Sequence, residues 1–83
     1  MKEIIFTRAA SKQFDQLPPD ARQRISDAMD AYAINGQGDI KRLSGRQDYR
    51  LRIGHYRVIF DQDQTTILAV YVGRRTSGTY SRN

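Results

Sequence analysis

Apolar and polar positions alternate most clearly from Tyr49 to Phe60, in the run Tyr49-Arg50-Leu51-Arg52-Ile53-Gly54-His55-Tyr56-Arg57-Val58-Ile59-Phe60. A period of two is the mark of half-buried strands. Gly54-His55 interrupts it with a two-residue link, glycine first, which suits a type II′ hairpin turn. Counting outward from that turn pairs Ile53 with Tyr56, Arg52 with Arg57, Leu51 with Val58 and Arg50 with Ile59. Arg50, Arg52 and Arg57 then share one face. Tyr49, Leu51, Ile53, Tyr56, Val58 and Phe60 share the other.

The remaining elements follow from the same kind of reading. Lys2 to Phe6 is a short β-rich run followed by a helix signal, and predicts a first strand. Thr7 suits the N-cap of a helix reaching about Gln16, with Ala10, Phe14 and Leu17 on one face. Pro18-Pro19 breaks that helix, and Pro19 suits the first position of the next, where Asp20 favours the positive end of the dipole. This second helix is expected to reach about Asn35 and to end at Gly36, with Ala21, Ile25, Ala28, Met29 and Tyr32 as its inner stripe. A turn-rich link at residues 36–39 leads to a short extended piece, Ile40 to Leu43, and then a loop, Ser44 to Asp48. After the hairpin, a polar turn around Gln62-Asp63-Gln64 precedes a last strand, Thr66 to Val72. That strand is apolar on both faces, so it is expected to lie centrally. The order β-α-α-β-β-β predicts an α+β fold, two N-terminal helices packed on one face of a mostly antiparallel four-stranded sheet. One domain spanning residues 1–83 is expected, with residues 76–83 a mobile tail.

Composition narrows the function classes. The chain has 83 residues, 39% hydrophobic, and no cysteine. That excludes disulfides and thiolate metal sites and fits a reducing compartment. No apolar run has transmembrane length and the N-terminus is too short for a signal peptide, so a cytoplasmic protein without a membrane partner is expected. The net charge of +5 is lopsided. Residues 1–40 hold five Lys/Arg and six Asp/Glu, a net of −1; residues 41–83 hold nine and three, a net of +6. Eight of those nine cations are arginine. Arginine grips phosphate through two donors at once, so the asymmetry points to a polyanion, nucleic acid first.

The candidate chemistry lies in Arg50, Arg52, Arg57, Arg74 and Arg75, with Tyr80 downstream. Like charges directly opposite on a sheet cost roughly 0.2–1 kcal/mol. No carboxylate intervenes in the hairpin to pair them, which favours an anion-holding face over a merely solvated one. Phosphoryl transfer needs several cations around the non-bridging oxygens. Lys41, Arg42, Arg46 and Arg74 form the expected RNA-binding set. His55, the only histidine, falls in the hairpin turn and is expected to be an exposed turn residue rather than an acid–base catalyst. Tyr49, Tyr56 and Tyr71 are expected to be core or strand-surface aromatics rather than base-stacking platforms. No convincing metal cluster is present, and no cofactor is expected.

The element order, the stretch Leu43-Ser44-Gly45, the hairpin run and the ending Val72-Gly73-Arg74-Arg75 followed by Tyr80 resemble the RelE/ParE toxin superfamily over nearly the whole chain. The basic pair before a tyrosine resembles the RelE branch. The resemblance implies the RelE-like microbial RNase fold and a toxin of a type II toxin–antitoxin system. Such a toxin is a ribosome-dependent, metal-independent endoribonuclease, or mRNA interferase, that cuts mRNA in the 30S A site. Its partners would be a cognate antitoxin, the ribosome and mRNA, with DNA reached only through the antitoxin.

By the same resemblance Arg50 and Arg52 match the two basic positions of the hairpin's first strand. Arg57 matches the arginine on the scissile phosphate, and Arg75 the arginine assisting the leaving group. Tyr80 matches the tyrosine that stacks on or orients the nucleotide. The implied reaction is attack by the RNA's 2′-hydroxyl on the adjacent phosphate. Some members carry lysine where this chain has Arg50 and Arg52. Arginine stays protonated and is a poor general base, so either the base is weak or catalysis rests on charge stabilisation and positioning. Two alternatives share the fold or the charge: a ParE-like toxin that inhibits DNA gyrase by protein contact, and a non-catalytic basic RNA-binding module.

Overall fold

A computed structural model describes residues 1–43 and 48–74. The chain order is β1 (Glu3–Phe6), α1 (Arg8–Asp15), α2 (Pro19–Asn35), β2 (Asp39–Arg42), β3 (Tyr49–Ile53), β4 (Tyr56–Gln62) and β5 (Thr66–Arg74). The five strands form one sheet in the order β1-β5-β4-β3-β2. Only the β1–β5 pairing is parallel. Both helices cover one face, so the expected α+β layering holds, with one strand more than the four expected. The extra strand is β2, which the sequence marks only as a short extended piece.

Local signals start and stop each helix where they should. Thr7 is extended, and its Oγ1 accepts the backbone N–H of Ala10 at 3.1 Å, capping α1. The C-terminal end of α1 is covered by Arg22, whose guanidinium donates to the carbonyls of Asp15 (3.2 Å) and Leu17 (3.1 Å). A cation there also suits the negative end of the helix dipole. Pro19 opens α2, and Gly36 ends it at φ +70°, a left-handed conformation that favours glycine.

The hairpin register is the one counted from the turn: Ile53 faces Tyr56, Arg52 faces Arg57, Leu51 faces Val58 and Arg50 faces Ile59. Gly54 sits at φ +57°. No described non-glycine residue has positive φ, so His55 keeps a negative one, as a type II′ turn requires. At the other hairpin, the Asp63 carboxylate accepts the backbone N–H groups of Thr65 (2.8 Å) and Thr66 (2.9 Å). Those bonds, Thr65's foremost, hold the Asp63 pKa below its ordinary value.

The core lies between the helices and one face of the sheet. Ala10, Ala21, Ile25, Met29 and Ala33 meet Leu51, Tyr56, Val58, Phe60, Ile67, Ala69 and Val72. Ala33 joins the α2 stripe read from the sequence, while Ala28 and Tyr32 pack at its margin. Phe60 is the pivot. Its ring lies 5.5 Å from those of both Tyr32 and Tyr49, stacked on the latter at 19°. Beyond the end of β1, the edge of β5 is met by α1: the N–H of Val72 donates to Gln13 Oε1 at 2.9 Å. Phe60→Ala should therefore cost about 3–5 kcal/mol in urea unfolding, a large share of the roughly 5–15 kcal/mol a domain has. A loss under about 1 kcal/mol would mean that Phe60 is not the centre of the core.

Candidate functional site

The face of the sheet without helices collects the arginines. Register places Asp39, Arg52, Arg57 and Gly73 in one row across β2, β3, β4 and β5. The next row is Lys41, Arg50, Ile59 and Tyr71. Alternation explains the sorting: Leu51, Val58 and Phe60 are buried against the helices, so their neighbours Arg50, Arg52 and Arg57 must point to the open face.

Burial makes this more than a solvated surface. Arg50, Arg52 and Arg57 are each half-buried. The Nε atoms of Arg50 and Arg57 are buried and have no hydrogen-bond partner among the described residues. Buried donors are nearly always satisfied, so two guanidinium N–H groups without a described partner make this face a candidate anion site. Ile59 is only 1% exposed, although it faces away from the helices. It stands between Arg50 and Tyr71 in its row. The apolar stems of arginines can cover such a residue while the charged ends face out.

One expectation needs correction. An acid does stand beside the arginines: Asp39 lies opposite Arg52, with Oδ2 3.8 Å from Arg52 Nε. The Asp39 side chain is 68% exposed, so the pair is weak and easily screened. It reduces the conflict between Arg52 and Arg57 at one end of the row and leaves Arg57 at the other.

The expected RNA-binding set divides. Lys41 shares the open face beside Arg50. Arg42 and Arg74 do not: both lie on the helix-bearing face, over the rings of Tyr49 (5.8 Å) and Tyr56 (5.9 Å). The last strand does run beside β4, but Arg74 takes the other side of the sheet from Arg57. Arg46, Arg75 and Tyr80 lie outside the described residues, as does the tail 76–83. His55 is exposed in the turn, as expected. Among the described residues no three His, Cys, Asp or Glu side chains gather as metal ligands, and no helix is long and apolar enough to cross a membrane.

Tyr71, expected to be a core or strand-surface aromatic, lies half-buried on the open face beside the arginines. The register of β5 shifts between Ile59 and Phe60: Phe60 faces Ala69 and Ile59 faces Tyr71, leaving Val70 as the extra residue of a bulge. Without it Tyr71 would join Ile67 and Ala69 on the core face. With it Tyr71 and Gly73 turn to the arginine face. Nothing in the apolar run Ile67 to Val72 announces that change of parity.

No family model matches the sequence, and no curated protein matches it either. Solved structures do. A chain of the RelB–RelE antitoxin–toxin complex from Methanococcus jannaschii is 27% identical over 88% of this chain and 92% of that one, with a TM-score of 0.73. The isolated RelE toxin of E. coli is 13% identical over 94% and 88%, with a TM-score of 0.79. The YoeB/ParE toxin from Agrobacterium tumefaciens is 10% identical over 88% and 98%, with a TM-score of 0.73. The last two show a shared fold alone.

A face with orphaned guanidinium donors should reveal itself by anion-specific stabilisation. Phosphate at 100 times its dissociation constant adds about 2.7 kcal/mol to a protein that binds it only when folded. Thermal unfolding in phosphate and in chloride at matched ionic strength should show a phosphate-specific rise in Tm, much smaller in Arg57→Gln. Equal curves in the two salts would remove the anion site.

Proposed function

We propose that this chain, which belongs by its fold to the RelE/ParE toxin superfamily, is the toxin of a type II toxin–antitoxin pair and cuts mRNA in the ribosomal A site. The observation that carries the reading is the open face itself: Arg50 and Arg57 with buried Nε donors that have no partner among the described residues, and Arg52 directly opposite Arg57. A protein that only needed solubility would gain nothing by burying guanidinium donors without acceptors.

The reaction is transesterification within the RNA. The 2′-oxygen bonds to the adjacent phosphorus, the bond from phosphorus to the 5′-oxygen breaks, and the products are a cyclic phosphate end and a free 5′-hydroxyl. The 2′-hydroxyl loses a proton and the departing oxygen gains one. Negative charge grows on the non-bridging oxygens along the way, and Arg57 is placed to meet it through two parallel donors. Arg50 and Arg52 add positive potential from the neighbouring strand, and Lys41 extends it. These arginines stay protonated, so their work is charge stabilisation, while the ribosome aligns the 2′-oxygen with the phosphate. Arg75 assists the leaving oxygen and Tyr80 orients the nucleotide. The partner that silences the site is an acidic or amphipathic antitoxin segment, drawn to the +6 half of the chain. It would cover the arginine face, add to a sheet edge or displace the tail.

Arg57→Ala should leave the fold intact and lower cleavage by ~10²–10³, the usual effect of losing one electrostatic donor. His55→Ala should be near neutral. Primer extension on mRNA from translating ribosomes reads both, with a gyrase supercoiling assay in parallel. Cleavage by Arg57→Ala at the wild-type level would dismiss the site, and gyrase inhibition without cleavage would favour the ParE-like reading. Hydrogen exchange of the antitoxin complex should show protection on the hairpin, the edges β1 and β2, or residues 73–83. A complex protecting none of these would rule out the docking mode.

A further inference from the structure

We infer that Tyr71 is a positioning residue for Arg57, its ring holding the guanidinium in place on the open face where a phosphate binds. The inference rests on the reading of that face as a phosphate site, and three linked features of β5 lead to it.

The first is the bulge. Leaving Val70 without a partner turns Tyr71 from the core face to the arginine face. Bulges are a recurrent way of re-aiming a side chain beside a functional site. The second is Gly73, which stands directly opposite Arg57. A Cβ at Gly73 would lie 2.8 Å from Tyr71 Cζ and 3.1 Å from Cε2, and would collide with the hydroxyl. The ring thus occupies the space that a side chain at Gly73 would need, beside the position opposite Arg57. Its φ is not in the left-handed region, so the glycine is needed for space rather than for backbone conformation. The third is the contact: Arg57 Cζ lies 5.7 Å from the Tyr71 ring centroid.

The other two arginine–tyrosine stacks make the contrast. Arg42 with Tyr49 and Arg74 with Tyr56 are direct cross-strand partners on the helix-bearing face. Arg57 with Tyr71 is a diagonal pair on the open face, and it exists only because of the bulge and the glycine. An arginine has many rotamers to lose when it closes on a phosphate. A ring within cation–π reach of the guanidinium removes part of that loss in advance and leaves the donor edge for the anion. Arg57 faces Arg52, which pushes it away; the Tyr71 ring supplies the opposing attraction. Tyr71 therefore acts through Arg57 and needs its ring rather than its hydroxyl.

The test compares wild type with Tyr71→Phe, Tyr71→Leu and Tyr71→Gln, two of which remove the ring in different ways. Each is also made in an Arg57→Gln background. The first readout is binding of inorganic phosphate, followed by NMR at the Arg57 Nε–H resonance where Arg57 is present and by Tm in all variants. Tyr71→Phe should keep the ring-current displacement of that resonance and bind phosphate within about twofold of wild type. Removing the ring should abolish the displacement and weaken phosphate by about threefold to tenfold. In the Arg57→Gln background the Tyr71 changes should have no further effect, because there is nothing left to position. The second readout is single-turnover cleavage on programmed ribosomes, where ring removal should lower the rate constant while ribosome affinity holds. Unchanged phosphate binding after ring removal, an equal loss without Arg57, or a Tyr71→Phe defect as large as Tyr71→Leu would each overturn the inference. A wild type that binds phosphate with the full Tyr71–Arg57 coupling but cuts no mRNA would overturn the nuclease reading and leave Tyr71's role supported.

Discussion

The pairing of β3 with β4 decides at once what becomes core and what faces outward. Its register is set by a two-residue turn whose first position needs φ near +60°, supplied by Gly54. Slipping β4 by one residue would carry Val58 and Phe60 to solvent and Arg57 into the helices; slipping β3 would do the same with Leu51, Arg50 and Arg52. The hydrophobic demand of the helix side therefore enforces the electrostatic arrangement of the other. Arg52 and Arg57 are held opposite each other not because they attract but because their neighbours must be buried.

This gives the sheet two faces with opposed energetics. On one, Phe60 between two tyrosine rings and the aliphatic residues around it supply the stability. On the other, like charges meet and two Nε donors lack acceptors, both of which oppose folding. Asp39 offsets a little of this at the β2 end, through an exposed pair worth at most about 1 kcal/mol. A small domain tolerates so unfavourable a surface only where the remainder of the fold can carry it. Both helices lie on the other side and none screens the arginines.

Where local chemistry decides the structure, the sequence is legible. Thr7, Pro19, Gly36 and Gly54 each act within a few residues, and the elements they bound appear where their chemistry puts them. The shared face of Arg50, Arg52 and Arg57 follows from alternation alone. What escapes is set by pairing between distant segments. Asp39-Ile40-Lys41-Arg42 reads from the sequence only as part of a short extended piece and becomes a strand by pairing with β3; that pairing brings Asp39 to Arg52. Tyr71 escapes for a sharper reason. A bulge changes which face every later residue takes, and the one at Val70 shows only in the pairing of β5 with β4. The same change of parity sends Arg74 to the helix side, over Tyr56, although simple alternation from Ala69 would have put it with Arg57.

Ile59 is where the two faces cease to be independent. It is as buried as Phe60 but belongs to the open face, outside the helix-side core. Its row neighbours are Arg50 and Tyr71, and Arg57 adjoins it along β4. The stems of Arg50 and Arg57 are long enough to shield such a residue, and a stem laid on it would carry its Nε out of water while leaving the terminal nitrogens outward. On the proposed reading of this face, arginines held in that way would lose less entropy on binding an anion. The cost of holding them falls on the folded state, whose helix-side core contains none of these residues.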